Sequence, residues 1–107
     1  MKIVYTASAL ADLGEILSYL QRNYPTVIPS FEKRLRSLVT RIGDWPESAE
    51  AVAERPGVRG APLVRYPYKV FYRVAGQTVE ILHIYHTSRR PPWEEETEHA
   101  DIDNGED

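Results

Sequence analysis

Residues 68–86, with the sequence YKVFYRVAGQTVEILHIYH, decide the fold of this chain. Tyr or Val occupies every second position from 68 to 74, and a similar alternation resumes after Gly76-Gln77. A period of two is typical of strands, and a glycine at the first central position favours a type II′ turn between antiparallel strands. We therefore predict a β-hairpin with strands at residues 68–75 and 78–86.

A two-residue turn fixes which side chains of the hairpin share a face. It places Arg73 opposite Glu80, so the expected partner of this arginine is a carboxylate on the neighbouring strand. Uninterrupted alternation then separates a covered face from an open one. The side chains predicted to lie in the core are Val70, Val74, Val79 and Ile81. Lys69, Arg73 and His86 are predicted to lie on the open face.

The predicted register places the two histidines of the second strand on different faces. His83 falls on the covered face near Tyr68 and Tyr85, and it is predicted to be an interior histidine with a hydrogen-bond partner. His86 ends the strand on the open face and precedes Arg89 and Arg90. An imidazole beside two guanidiniums is suited to accept a proton, and guanidiniums bind phosphate or carboxylate groups in bidentate fashion.

The segments before the hairpin predict two helices and two further strands. Leu10, Leu13, Ile16, Leu17, Leu20 and Tyr24 recur at helical spacing, as do Ile28, Phe31, Leu35, Leu38 and Ile42. Pro25 separates these two stripes, which should pack antiparallel. Residues 2–5 and 58–65 are predicted strands, residues 47–54 a short helical segment, and Trp45 a cap on the core. The fold class is therefore α+β: an N-terminal strand, an antiparallel helical hairpin and a three-stranded antiparallel meander.

Length and charge indicate one domain followed by an acidic segment. The chain has 107 residues, with 13 basic and 16 acidic ones. Eight of the acidic residues lie in residues 94–107, which contain no Lys or Arg, so residues 1–93 carry a net charge of +5. We predict a folded domain at 1–93, a flexible tail at 94–107 and an anionic partner for the basic domain.

Several classes of protein are disfavoured by composition. Cysteine is absent, so disulfides and thiol chemistry are excluded. The histidines at 83, 86 and 99 lack a metal-ligand spacing, and no glycine-rich phosphate loop is present. We expect no metal, no cofactor and no membrane contact. With neither a signal peptide nor a membrane span in the sequence, the expected location is the cytoplasm.

Two motifs of the chain resemble those of a known family. Pro-Tyr-x-x-x-Tyr-Arg-Val at residues 67–74 and His-x-x-Arg-Arg at residues 86–90 resemble the RelE/ParE superfamily of type II toxins. The order of strand, helical hairpin, Trp-Pro loop and β-hairpin agrees with that family over residues 1–93. The resemblance implies a toxin encoded beside an antitoxin that neutralises it, in a possible hetero-oligomer.

The resemblance leaves two activities open. RelE-type relatives cleave mRNA on the ribosome without a metal. Lys69 and Arg89 match basic positions of that branch, and the candidate catalytic residues of such an activity are Lys69, His86 and Arg89, with Arg65 as a further cation. That branch commonly carries a catalytic tyrosine after the last strand, and residues 91–107 contain none. The histidine and paired arginines look more like the ParE branch, which inhibits DNA gyrase without established nuclease activity.

The favoured prediction is therefore a ParE-like, non-enzymatic toxin that acts on gyrase. The alternatives are a metal-independent endoribonuclease that acts on ribosome-bound mRNA and a binding module without toxicity. The residues predicted to bind the target are Arg65, Lys69, Arg73, His86, Arg89 and Arg90.

Overall fold

The computed structural model describes residues 1–90 and Trp93, so the predicted flexible tail at 94–107 lies outside the described residues. Its elements are β1 (Lys2–Tyr5), α1 (Ala7–Asn23), a 3-10 turn (Pro25–Val27), α2 (Ile28–Asp44), β2 (Glu50–Ala51), β3 (Val58–Pro62), β4 (Tyr68–Ala75) and β5 (Thr78–His86). The strands form one sheet in the order β1-β5-β4-β3-β2, in which β1 is parallel to β5 and the other pairs are antiparallel. The predicted α+β fold is confirmed.

Three details before the hairpin differ from the prediction. The segment predicted as helical turns contains β2, because Glu50 and Ala51 pair with β3. β3 ends at Pro62, and the chain then turns at Arg65, which adopts a positive φ of 77°. Trp45 lies in the loop after α2 with 69% of its surface exposed, so it does not cap the core.

The first helix begins at a side chain that also contacts the sheet. Thr6 is the N-cap of α1, where its Oγ1 accepts the amide proton of Ala9 at 3.2 Å. The same hydroxyl donates to the carbonyl of Ile81 at 2.9 Å and lies 3.2 Å from that of Leu82. One threonine therefore fixes both the start of α1 and its position against β5.

The core lies between the two helices and one face of the sheet. Both helices contribute an apolar stripe, as their periodicity predicts. The largest fully buried side chains are Tyr72, Phe31, Ile42, Ile81, Val70 and Val79. Three of the four predicted core residues of the hairpin are thus confirmed. Val74 is 42% exposed, because it lies near the turn at the end of the hairpin.

The hairpin contains a β-bulge that the sequence did not predict. Gly76 takes a φ of +63°, which the first central position of a type II′ turn requires. Tyr72 pairs with Ile81, but the next residue, Phe71, pairs with His83, so Leu82 has no partner of its own. An extra residue in one strand reverses the alternation beyond it.

The bulge makes the predicted faces wrong for the second half of β5. Ile84 now pairs with Val70 and His86 with Tyr68, on the helix-covered side. His83 and Tyr85 move to the open side, so His83 is not an interior histidine. Beyond the bulge, the carboxylate of Asp12 in α1 accepts the amide proton of Ile84 and lies beside His83, so this part of β5 is anchored to α1.

Candidate functional site

The open face of the sheet carries a ladder of aromatic and cationic side chains. On β5 the rings of His83 and Tyr85 contact each other at 5.5 Å, and the guanidinium of Arg89 lies 4.6 Å from the centre of the Tyr85 ring. On β4 the ammonium of Lys69 lies 5.7 Å from the centre of the Phe71 ring. Cations over ring faces combine a charge with a flat apolar surface.

A cleft of about 530 Å³ crosses this face beside β2. It is lined by Lys69, His86 and Arg89, the three residues that could serve a nuclease. His86, the last residue of β5, lines the cleft although its ring packs edge-on against Tyr68 at 5.5 Å, on the helix-covered side. The remaining lining residues are Glu50, Ala51, Val52, Ala53, Glu54, Phe71, Tyr85, Thr87 and Trp93. The three candidate catalytic residues, which are separated in the sequence, therefore line the same cleft.

Gly60 of β3 makes room for the cationic side of this cleft. A Cβ atom at this position would lie 2.6 Å from Cε of Lys69 and 3.2 Å from the Phe71 ring. Any other residue would force the flexible end of the Lys69 side chain to shift. The space at Gly60 is therefore occupied by the Lys69 side chain.

His86 is held by the turn that follows β5. Its Nδ1 accepts the amide proton of Ser88 at 3.1 Å and lies 2.7 Å from the Ser88 hydroxyl. Because a backbone amide can only donate, the neutral ring carries its proton on Nε2. The nitrogen that could act as a base is engaged within the protein, and Nε2 is a hydrogen-bond donor.

A second cleft of about 310 Å³ lies on the same face, on the other side of Trp93. Arg73 and His83 both line it. Arg73 donates from Nε to the Glu80 carboxylate at 2.7 Å, which confirms the predicted pair. Phe71 and Trp93 line both clefts, so these two rings separate them.

His83 is anchored to α1 rather than buried in the core. The carboxylate of Asp12 lies 3.2 Å from His83 Nδ1 and accepts the amide proton of Ile84 at 3.0 Å. One carboxylate thus contacts two successive residues of β5 beyond the bulge. No pattern in the sequence pointed to Asp12, because it lies on a different element.

The other predicted binding residues lie apart from the two clefts. Arg65 is exposed in the loop between β3 and β4, and Arg90 is exposed after β5; neither lines a cleft. Among residues 1–90 and Trp93, no group of His, Cys, Asp and Glu could hold a metal ion. Within the same residues, neither helix has the length and apolar character that crossing a membrane requires.

Comparison with protein families gives a match over most of the chain. The model of the ParE toxin of the type II toxin–antitoxin system parDE matches residues 3–91. A search of curated proteins finds no match.

Two solved structures share the fold. A chain from the chromosomal ParDE toxin–antitoxin system of P. aeruginosa is 27% identical, with a TM-score of 0.71; the match covers 80% of this chain and 95% of that one. A YoeB/ParE toxin from Agrobacterium tumefaciens is 17% identical, with a TM-score of 0.55, over 80% of this chain and 98% of that one. The second likeness concerns the fold alone.

Proposed function

Because the chain belongs to the ParE toxin family and is therefore the toxin component of a type II toxin–antitoxin system, we propose that a cognate antitoxin neutralises it and that its target is DNA gyrase. It acts in the cytoplasm as an inhibitor that contacts its target rather than as an enzyme. The toxin and antitoxin form a hetero-oligomer, and no metal or cofactor takes part.

The state of His86 is the observation that favours an inhibitor over a nuclease. Cleavage of RNA without a metal needs a base near the 2′-hydroxyl and cations near the phosphate. The first cleft supplies the cations, Lys69 and Arg89. Its histidine presents a donor, because Ser88 engages Nδ1. A cleft with cations and donors binds an anionic surface without activating a nucleophile.

The first test separates a toxin from a harmless binding module. The chain is expressed alone and together with the product of the neighbouring antitoxin gene. We expect growth to stop in the first case and to continue in the second. Normal growth without the antitoxin would overturn the toxin assignment for this chain.

The second test identifies the target. Purified toxin is added to gyrase and relaxed plasmid, and supercoiling is measured on gels. We expect supercoiling to fall as toxin is added, with cellular transcripts intact by primer extension. Undisturbed supercoiling would exclude gyrase as the target.

The ribonuclease alternative rests on the convergence of Lys69, His86 and Arg89 in one cleft. It predicts new mRNA ends at fixed codon positions after induction. Lys69→Met should then abolish the new ends, while Arg22→Met, in the last turn of α1 and outside both clefts, should preserve them. Intact transcripts with the unaltered toxin would rule this alternative out.

A further inference from the structure

Trp93 lies on the open face of the sheet, several residues after β5 has ended. Its ring meets that of Phe71 edge-on, with 5.1 Å between the ring centres and an angle of 84°. Phe71 is only 6% exposed, although it does not belong to the core cluster that the sheet forms with α1 and α2. The chain therefore returns to cover the middle of its own candidate binding face.

Trp93 lies two residues beyond the part of the chain that the family model matches. The family match ends at residue 91, and 80% of this chain suffices to cover 95% of the P. aeruginosa relative. The core lies on the opposite side of the sheet and does not include Trp93. The contact between Trp93 and Phe71 therefore lies outside both the helix-covered core and the matched residues.

Trp93 also joins an acidic segment to a basic surface. Lys69 and Arg89 line the first cleft beside its ring, and Arg73 lines the second. Residues 94–107, which follow directly, contain eight carboxylates and no Lys or Arg. The first of these carboxylates belongs to the residue that directly follows Trp93 in the sequence.

We propose that the open face is a docking groove for an acidic peptide that begins with an aromatic anchor, and that the chain's own C-terminal segment, residues 91–107, occupies it. Trp93 fills the space over Phe71, and the carboxylates that follow neutralise the cations around it. A tethered ligand acts at an effective concentration in the millimolar range, so an acidic partner must compete with it. The groove is self-occupied in the free protein.

The decisive experiment measures binding of the segment in trans. A fluorescently labelled peptide of residues 91–107 is titrated into the full-length protein and into full-length Trp93→Ala. We expect the variant to bind at least about threefold more tightly, because one aromatic contact has been removed from the competing segment. Binding should weaken as salt is raised from 0.05 to about 0.5 M, where the Debye length shortens to a few ångströms.

Two matched controls distinguish specific binding in this groove from nonspecific binding of the peptide. Trp45→Ala removes the other tryptophan, which is 69% exposed and lines neither cleft, and it should bind the peptide like the unaltered protein. The second control is a peptide of residues 91–107 in which alanine replaces the tryptophan. It should bind the Trp93→Ala protein more weakly than the native peptide binds the same protein. Equal binding by all proteins, equal binding of both peptides, or no binding to Trp93→Ala would overturn the proposal.

A second measurement follows Trp93 directly in a full-length Trp45→Phe protein. Its fluorescence should be protected from acrylamide, and Phe71→Ala in the same protein should increase quenching by about twofold or more. Quenching equal to that of the free peptide before the Phe71 change would overturn the contact. Both readouts use purified protein, so they can fail or succeed whether or not the chain inhibits gyrase.

Discussion

The two faces of the β4–β5 hairpin are built from the same kinds of residue and have opposite roles. On the covered face Tyr72 is fully buried, and its hydroxyl donates to the carbonyl of Pro46 at 2.7 Å. On the open face Phe71 and Tyr85 lie beside cations and one returning tryptophan. Aromatic residues on a strand therefore do not indicate a binding site; the charges that surround them do.

The difference between the faces lies in what covers them. Two amphipathic helices exclude water from one side, so its polar atoms must find partners within the protein. On the other side, the cations Lys69, Arg73 and Arg89 line the two clefts. The following predictions use this contrast, from the largest expected effect to the smallest.

Phe31→Ala should have the largest effect, because it empties the centre of the covered face. Phe31 is 0% exposed, and its ring meets those of Tyr66 and Tyr68 at 5.6 and 5.8 Å. We expect the free energy of unfolding, measured with urea, to fall by about 3–5 kcal/mol. Phe71→Ala, on the open face, should lose less. Equal losses would show that the two faces contribute alike to stability.

Asp12→Ala should loosen the segment of β5 beyond the bulge. The change leaves the amide of Ile84 without its acceptor, which should cost about 1–3 kcal/mol. Hydrogen exchange at the Ile84 amide should accelerate, while exchange at Val79, before the bulge, should change only as far as global stability does. Unchanged protection of Ile84 would mean that Asp12 does not fix the bulge. Asp12→Asn, which retains an acceptor oxygen, should have a smaller effect.

Tyr72→Phe should reduce stability at neutral pH by about 0.5–1.5 kcal/mol, since one hydrogen bond to Pro46 is lost. Burial raises the pKa of Tyr72 above its usual value of about 10. The folded protein therefore holds this proton more tightly than the unfolded chain does. The stability that the protonated Tyr72 hydroxyl contributes is complete below pH 10, and it is lost as the pH rises through the pKa of the folded state.

The same variant should accordingly lose less stability than the unaltered protein between neutral pH and strongly alkaline pH. Urea titrations at several pH values above 9 would measure this difference. Burial also raises the pKa of Tyr5 and Tyr68, so part of the alkaline loss should remain. Parallel curves for the two proteins would contradict the role of Tyr72.

Separating Arg73 from Glu80 should have the smallest effect. The two side chains are 2.7 Å apart, but that of Arg73 is 55% exposed. A double-mutant cycle with Arg73→Ala and Glu80→Ala should give a coupling of about 0.2–1 kcal/mol that decreases with salt. A larger coupling that salt does not change would mean that this pair is shielded from solvent.

The sequence by itself determined the two helices, the β4–β5 hairpin and the distribution of charge, but not β2, which pairs with β3. The period of two, the position of Gly76 and the stripes of the two helices predicted the architecture, because each depends on neighbours within a few residues. The separation of a basic domain from an acidic segment is likewise a property of composition. The candidate binding residues Lys69, His86 and Arg89 were also identified from sequence, and the structure brings them into one cleft.

Only the tertiary structure decided which face each of these side chains occupies. An alternating pattern of residues does not show where one strand of a pair has an extra residue. The bulge at Leu82 is contacted by Thr6 and followed by a contact with Asp12, and both of these residues are near the other end of the chain. A local pattern also does not show which distant segments will contact each other. For this reason the sequence did not predict that Trp45 is exposed or that Trp93 packs on Phe71. Contacts between residues far apart in sequence set the orientation of the site, and the free energy of those contacts exists only in the folded chain.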